Sequence, residues 1–302
     1  MRVGQGRFVA LFLAPALALY GLFALVPYAQ GAAASLTAWG GYSGRRRFVG
    51  LDNYARLVGD ERFWSALGHN AVVLAVLPPV TVGLAVALAA LTTVAGGRSG
   101  RVGPIRGAGA YRAVFLLPNV LPLVMGLVLW HFALHPRVGL LNGLLDAVGL
   151  EGWSRAWLGD PATARWAVLG VLVWGQVGFA ATLLAAALDG LPRECLEAAT
   201  LDGAGRWRTL RFVALPMTAR TVRVVWVYLA TLALDLFVVV AVLTPDGGPS
   251  GSTEVMATYL QRLAFGAGRF GDAAAIGVVL TLLSLLVAAA ALLLARRERA
   301  ER

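Results

Sequence analysis

The chain contains no lysine and a single cysteine, and each scarcity excludes a class of chemistry. Without lysine there is no conventional Walker A loop, so ATP hydrolysis cannot be assigned to this polypeptide. With Cys195 alone there is no intrachain disulfide and no cysteine-based metal cluster, and the residue reads as a small packing group. His69, His131 and His135 are too few and too scattered for a metal site. No HExxH run, no Ser/His/Asp set in loop context and no carboxylate pair at catalytic spacing is present, so catalysis is not expected. Charge is scarce as well. Only 14% of residues are charged, where a soluble domain carries about a quarter.

What fills the space is oil: 59% of the 302 residues are hydrophobic and the mean hydropathy is +0.73. All 26 basic residues are arginine, against 16 acids, for a net charge of +10. The arginines cluster at the ends of apolar runs, a placement that suits a membrane surface and not nucleic acid. There is also no soluble domain to bind a nucleic acid.

Six apolar runs follow, each near the roughly 20 residues that cross about 30 Å of hydrocarbon. After a basic tail, Met1 to Arg7, the first runs from Phe8 to about Ala34, too long for a signal-peptide core. Pro15 and Pro27 are expected to bend it. Residues 35–65 form a polar loop with Arg45, Arg46 and Arg47 and a short helix near Asn53–Val58. The second span is Leu67–Ala95, with Pro78-Pro79 as a break near its middle. A Gly/Arg-rich turn, Gly96–Gly109, resembles a phosphate loop only superficially. The third span is Tyr111–Leu134, with Pro118 and Pro122 early. Residues 135–164 read as an interfacial loop carrying Trp153 and Trp157. The fourth span is Ala164–Leu188, the fifth Thr218–Leu243 and the sixth Asp272–Ala295, closed by Arg296, Arg297 and Arg299.

Between the fourth and fifth spans lies the most polar segment, Pro192 to Pro216. Pro192 suits the first turn of a helix, and Glu194 and Glu197 favour its N-terminal dipole. Leu196, Ala199 and Thr200 fall on one side at spacings of three and four. Gly203 supplies a stop, and Arg206–Phe212 reads as a second short amphipathic turn. The reading is a helix–turn–helix handle in water.

Within this handle, Glu197-Ala198-Ala199, Asp202-Gly203-Ala204 and Leu215-Pro216 resemble the "EAA" signature of bacterial ABC importer permeases of the carbohydrate-uptake branch. Gly50-Leu51-Asp52-Asn53-Tyr54, Tyr111-Arg112-Ala113, Gly139-Leu140-Leu141-Asn142, Trp157-Leu158-Gly159-Asp160-Pro161, Gly247-Gly248-Pro249 and Ala257-Thr258-Tyr259 also fit. The resemblance covers residues 8 to 295. It implies an all-α membrane protein of six spans with a cytoplasmic coupling loop, the type I importer permease fold. Residues 1–65 would hold the tail, first span and outer loop, 66–295 the permease core with the handle at 190–216, and 296–302 a basic tail.

The resemblance further implies a second permease subunit, two copies of an ATPase that binds the ATP and magnesium, and an extracytoplasmic solute-binding protein. This chain itself would bind no cofactor. Glu197, Ala198, Ala199, Asp202, Gly203, Ala204, Leu215 and Pro216 would couple to the ATPase; on residue type alone they describe only a capped surface helix. The Thr244–Ser252 turn and outer loops would meet the binding protein. With termini in the cytoplasm of a bacterial plasma membrane, sixteen arginines fall inside and ten outside.

Asp235, read as lying within the fifth span, is either a ligand for a hydroxylated solute or one half of a structural pair. Trp226, Tyr228 and Thr231 on neighbouring turns, with Gln176 and Trp174 of the fourth span, are the other pathway candidates. Aromatic faces and hydrogen-bonding groups suit a sugar's apolar faces and hydroxyl edges. Two rivals remain: the same machinery carrying glycerol-3-phosphate, which would want arginines in the spans, and an ion-coupled secondary transporter, which would want intramembrane carboxylates and a repeat.

Overall fold

A computed structural model describes residues 2–41, 44, 46–93 and 107–300. Most of the Gly/Arg-rich turn and Arg45 of the arginine cluster lie outside the described residues. Among the described residues five helices are long and apolar enough to cross a membrane, and a bent pair makes a sixth crossing if counted as one. The chain divides into two compact units, residues 1–64 with 259–283 and residues 65–258 with 284–302.

The first unit begins helical at Arg2, so the expected basic tail is the first turn of a helix. Helix α1 (Arg2–Tyr20) passes through a widened π turn, Gly21–Leu25, into α2 (Val26–Ser35). The π turn immediately precedes Val26-Pro27. Proline has no N–H to give a four-residue bond and its ring crowds the carbonyl four back, a conflict that a widened turn relieves. A short antiparallel ladder, β1 (Thr37–Ala38) with β2 (Arg47–Phe48), follows and departs from the all-helical expectation. Next comes α3 (Asp52–Val58), the expected short helix. Asn53 is buried and donates to the carbonyls of Ser35 (2.6 Å) and Thr37 (3.0 Å), while the Tyr54 and Ser35 hydroxyls share a hydrogen bond. Asn53 and Tyr54 of Gly50-Leu51-Asp52-Asn53-Tyr54 are thus the clamp that fastens the loop after the first span to the end of that span.

A second clamp sits at the start of the sixth span. Asp272, 5% exposed, is gripped by Arg56 at 3.0 Å and Arg269 at 3.0 Å. The carboxylate holds the Arg269 guanidinium above its ordinary pKa, chiefly through that hydrogen bond. Nearby, Tyr259 hydrogen-bonds Asp60, and burial followed by that bond pushes its phenol up.

The second unit carries the core. Helix α4 (Glu61–Thr93) runs unbroken through Pro78 and Pro79, against the expected break. The ladder forgoes the bonds to Leu74 and Ala75, yet packing on both sides holds the helix, as membrane helices tolerate. The third span departs from expectation in the opposite sense. It is two helices, α5 (Ala108–Val120) and α6 (Leu123–Ala133), bent by 99°. Leu121, just before Pro122, is extended (φ −76°, ψ 137°), because a following proline disfavours the helical region.

The aromatic loop folds around Asn142 of α7 (Leu140–Ala147). Its amide donates to the carbonyls of Pro136 and Arg155, and its oxygen accepts from the Trp157 indole at 2.7 Å. Helix α8 (Pro161–Asp189) is capped by the Asp160 carboxylate, which accepts from Ala162.

Two apolar clusters hold this unit. One joins Leu77 of α4, Leu127 of α6, Leu169 and Leu172 of α8, and Leu236, Val240 and Leu243 around α12 (Phe237–Leu243). The other is alanine-rich: Ala85 and Ala89 of α4 face Ala181 and Ala185 of α8. Lipid tails are as apolar as leucine, so small side chains that let backbones approach are what hold membrane helices together.

Candidate functional site

The first helix of the handle forms where the sequence places it. Pro192 is the N-cap of α9 (Arg193–Leu201), one position earlier than expected. Gly203 adopts φ +78°. Its N–H bonds the Thr200 carbonyl, and the Ala204 N–H reaches back to Ala199 at 2.9 Å. This is a Schellman stop, and it accounts for the spacing of Ala199, Asp202, Gly203 and Ala204.

The second half is not a separate short helix. Helix α10 (Arg206–Thr209) continues through a π turn, Leu210–Ala214, into α11 (Leu215–Leu232). The π turn again precedes a proline, Pro216, which explains Leu215-Pro216 by the same backbone conflict seen at Pro27. The fifth membrane helix therefore starts at Trp207 and ends at Leu232, about eleven residues ahead of expectation at each end. It includes Arg208, Arg211, Arg220 and Arg223, so the spans are less arginine-poor than the sequence reading held.

Helix α9 has two faces. Leu196 is buried with Leu210 and Ala214 in the same cluster as Ala85 of α4 and Leu184, Ala185 and Leu188 of α8, and Ala199 is buried on the same face. Glu194, Glu197, Ala198 and Asp202 are exposed, and with them Leu201 at 88%. Ala199 thus serves the handle's own packing, and Ala198 alone of the pair faces outward. The outer face is acidic with an apolar end, and its inner face is continuous with three membrane helices.

Next to this root, Arg112 of α5 pairs with Asp189 at 3.1 Å and donates to the Thr92 carbonyl at the end of α4. A cation placed on helix C-termini is favourable, and it fastens three spans at one level.

The pathway candidates divide. Tyr228 donates to Gln176 Oε1 at 3.2 Å and lies against Phe179, ring centres 5.4 Å apart. Trp174 instead meets Trp130 of α6 edge-on at 5.3 Å. Trp226 and Tyr228, two residues apart on a helix, point to opposite sides of α11, so they cannot line one cavity. Thr231 returns its hydroxyl to the Val227 carbonyl. Asp235 is not inside a helix: it is exposed in the break between α11 and α12, with its N–H on the Leu232 carbonyl.

That break is held by a residue the sequence reading passed over. Asn70 of α4, 1% exposed, donates to the orphaned Ala233 carbonyl at 2.9 Å and accepts from Met256 N–H at 2.9 Å. An isolated amide in an apolar run was the available signal. Asn70→Leu removes both partners from buried backbone groups that cost about 1–3 kcal/mol each to strand. The expected result is a lower melting temperature of the purified membrane protein, with Asn70→Gln retaining part of the loss.

Beyond α12 the chain makes a tight turn with Gly247 (φ +83°) and Gly248 (φ +75°) in the left-handed region, joined by Asp246 (57°) and Ser250 (54°). A side chain on Gly247 would strike Glu254. Thr253 ties the turn, bonding the Thr244 hydroxyl and the Gly247 carbonyl at 2.8 Å each. His69 and Arg165 hold it from below. Arg165 donates to His69 Nε2 at 2.8 Å, so the Nδ1 proton goes to the Glu254 carbonyl at 2.7 Å. Left-handed backbone at non-glycine positions costs about 1–3 kcal/mol each and persists only where the surroundings over-determine it, as these hydrogen bonds do.

Residues 73–300 match the family described as "Binding-protein-dependent transport system inner membrane component". The chain belongs to that family. It is 41% identical over 96% of its length to the diacetylchitobiose uptake system permease protein NgcF of Streptomyces coelicolor, covering 82% of that protein. It is 32% identical to the alpha-glucoside transport system permease protein AglF of Rhizobium meliloti, over 90% of this chain and 78% of that one. Its fold matches a chain in the crystal structure of a bacterial ABC transporter involved in the import of the acidic polysaccharide alginate. The TM-score there is 0.81 at 20% identity, covering 98% of this chain and 97% of that one. The type I importer permease fold expected from the sequence is the fold observed, and this inner-membrane permease is a transport component.

Proposed function

We propose that this permease moves a sugar, as a mono- or oligosaccharide or polyol, inward across the cytoplasmic membrane, driven by ATP hydrolysed on a separate ATPase chain. The observation that carries the reading is α9: an acidic outer face with an exposed Leu201, packed through Leu196 into the cluster formed by α4, α8 and α11. A helix of nine residues is about 14 Å long and stiff. A motion imposed on its outer face is passed to the spans as a rigid displacement. Glu197, Ala198 and Asp202 present the docking surface. Ala199, Gly203, Ala204, Leu215 and Pro216 set its angle.

That role puts the handle and both termini in the cytoplasm, and the tied turn at residues 244–252 on the outer side, where a solute-binding protein docks. A second permease subunit completes the channel. The sugar class is supported by the uptake systems of the relatives, and by the pairing of Gln176 and Tyr228 beside the Phe179 ring. The test is uptake of labelled sugars by vesicles holding the assembled transporter. Uptake should require ATP inside and binding protein outside and persist when ion gradients are collapsed. Uptake that survives ATP depletion but stops with the ion gradient refutes the reading.

A further inference from the structure

The turn beyond α12 stands on a buried pair whose hydrogen bonds can be made in one protonation state and not the other. His69 of α4 is 8% exposed, and both of its ring nitrogens are in use. Arg165 of α8 reaches it with Nη2, at 2.8 Å from His69 Nε2, and donates from Nε to the Ser252 carbonyl at 3.3 Å. A guanidinium has only N–H groups to offer, so Nε2 is the acceptor and the imidazole is neutral. One arginine therefore ties α8 to the turn at Ser252 and to α4 at His69.

The turn depends on such ties. Asp246 and Ser250 are left-handed without being glycine, and backbone of that kind persists only while its surroundings hold it. The charged groups on the elements around His69 are few among the described residues. Arg165 is the one that hydrogen-bonds the ring, while Glu254, 5% exposed, lies against Gly247. Asp246 on the turn and Arg62, two helical turns earlier on α4, are both exposed.

We infer that His69 and Arg165 are positioning residues that hold this turn as a proton-sensitive latch, closed while His69 is neutral and released in acid. A proton added at Nε2 turns the acceptor into a donor, so donor faces donor and two cations stand side by side. Arg165 then leaves, and its bond to Ser252 goes with it. The Nδ1–H bond to the Glu254 carbonyl survives protonation, so α4 keeps its hold below the turn and the turn alone is freed. The consequence for transport rests on the reading that a solute-binding protein docks at this turn; the latch itself rests on the hydrogen bonds.

The test is amide hydrogen exchange of the purified full-length chain in lipid nanodiscs, from about pH 8 to about pH 5, the range in which histidine changes charge. Rates are corrected for the intrinsic pH dependence of exchange. The reporters are the turn's own bonded amides, Gly248, Gly251, Ser252, Thr253 and Glu254, with α8 around Val171 as the reference. Protection of the turn should fall at least about tenfold in acid, as expected for losing a hydrogen bond from a charged group, while α8 holds. His69→Gln keeps an acceptor for Arg165 but cannot take the proton, so its turn should stay protected throughout. Arg165→Leu should leave the turn weakly protected at every pH, like the wild type in acid. A wild-type turn equally protected across the range overturns the proposal. So does an acid-induced loss that persists in His69→Gln, or full protection in Arg165→Leu. The readout is exchange in this chain alone and not transport, so it stands or falls apart from the proposed function.

Discussion

Glu197→Arg is expected to leave the protein inserted and folded while lowering ATP-driven uptake by about a hundredfold. Glu197 lies on the outer face of α9, away from the cluster that holds the handle in place, so its replacement disturbs no packing within the chain. Reversing the charge of a docked, hydrogen-bonded acid typically costs 2–5 kcal/mol, and about 1.4 kcal/mol is tenfold in an association constant. Gly203→Val acts on the same surface from behind. At φ +78° a β-branched residue is a genuine outlier, so the Schellman stop opens and the last turn, with Leu201 and Asp202, loses its orientation. The measurement is sugar uptake alongside ATPase activity in reconstituted vesicles: hydrolysis should persist or fall while uptake is lost. Unchanged uptake in both variants would remove α9 from the coupling path.

Gly178→Val should prevent the protein from assembling at all. A Cβ built on Gly178 lies 2.6 Å from the Phe115 carbonyl carbon and closer still to its oxygen, so backbone meets backbone where α8 crosses α5. No side chain can swing aside to relieve this, and the two helices must separate. Overpacking in a core commonly costs 1–3 kcal/mol, and a backbone clash belongs at or above the top of that range. Gly175, three residues earlier on α8, has nothing within 4 Å of its virtual Cβ, so Gly175→Ala is expected to be neutral or slightly stabilising. Yields and melting temperatures of the two variants separate a crossing-point requirement from general intolerance of α8. Equal behaviour would refute the close crossing.

Several features were legible before any coordinates because they follow from local chemistry. The handle was one: Gly203 and its flanking residues form a stop that any chain with that spacing would make. The short helix at Asp52–Val58 was another, and so was the number of apolar runs, which depends on composition and length alone. The family motifs were visible as residue strings, but what they do was not. Asn53, Asn142 and Arg112 each reach across sequence separations of between six and seventy-seven residues to satisfy backbone groups or a carboxylate.

Proline shows where local reading stops. Pro78-Pro79, Pro118 and Pro122 carry the same chemical defect, yet α4 and α5 continue through the first three and the chain bends 99° only at Pro122. Whether a missing N–H ends a helix depends on what packs beside it, and that is tertiary. The same holds for the fifth span. Its apolar run contains a plausible helix through Asp235, but Asn70 stands ready to take the Ala233 carbonyl and the helix stops there.

The sequence by itself determined that this protein lives in a bilayer, crosses it repeatedly and carries a polar, capped helix between its fourth and fifth spans, because hydropathy, charge and capping act over a few residues. The tertiary structure alone decided which helices break, which face of α9 is free, and which of the polar candidates meet. Those outcomes depend on partners brought together from distant parts of the chain, and no local pattern encodes a neighbour.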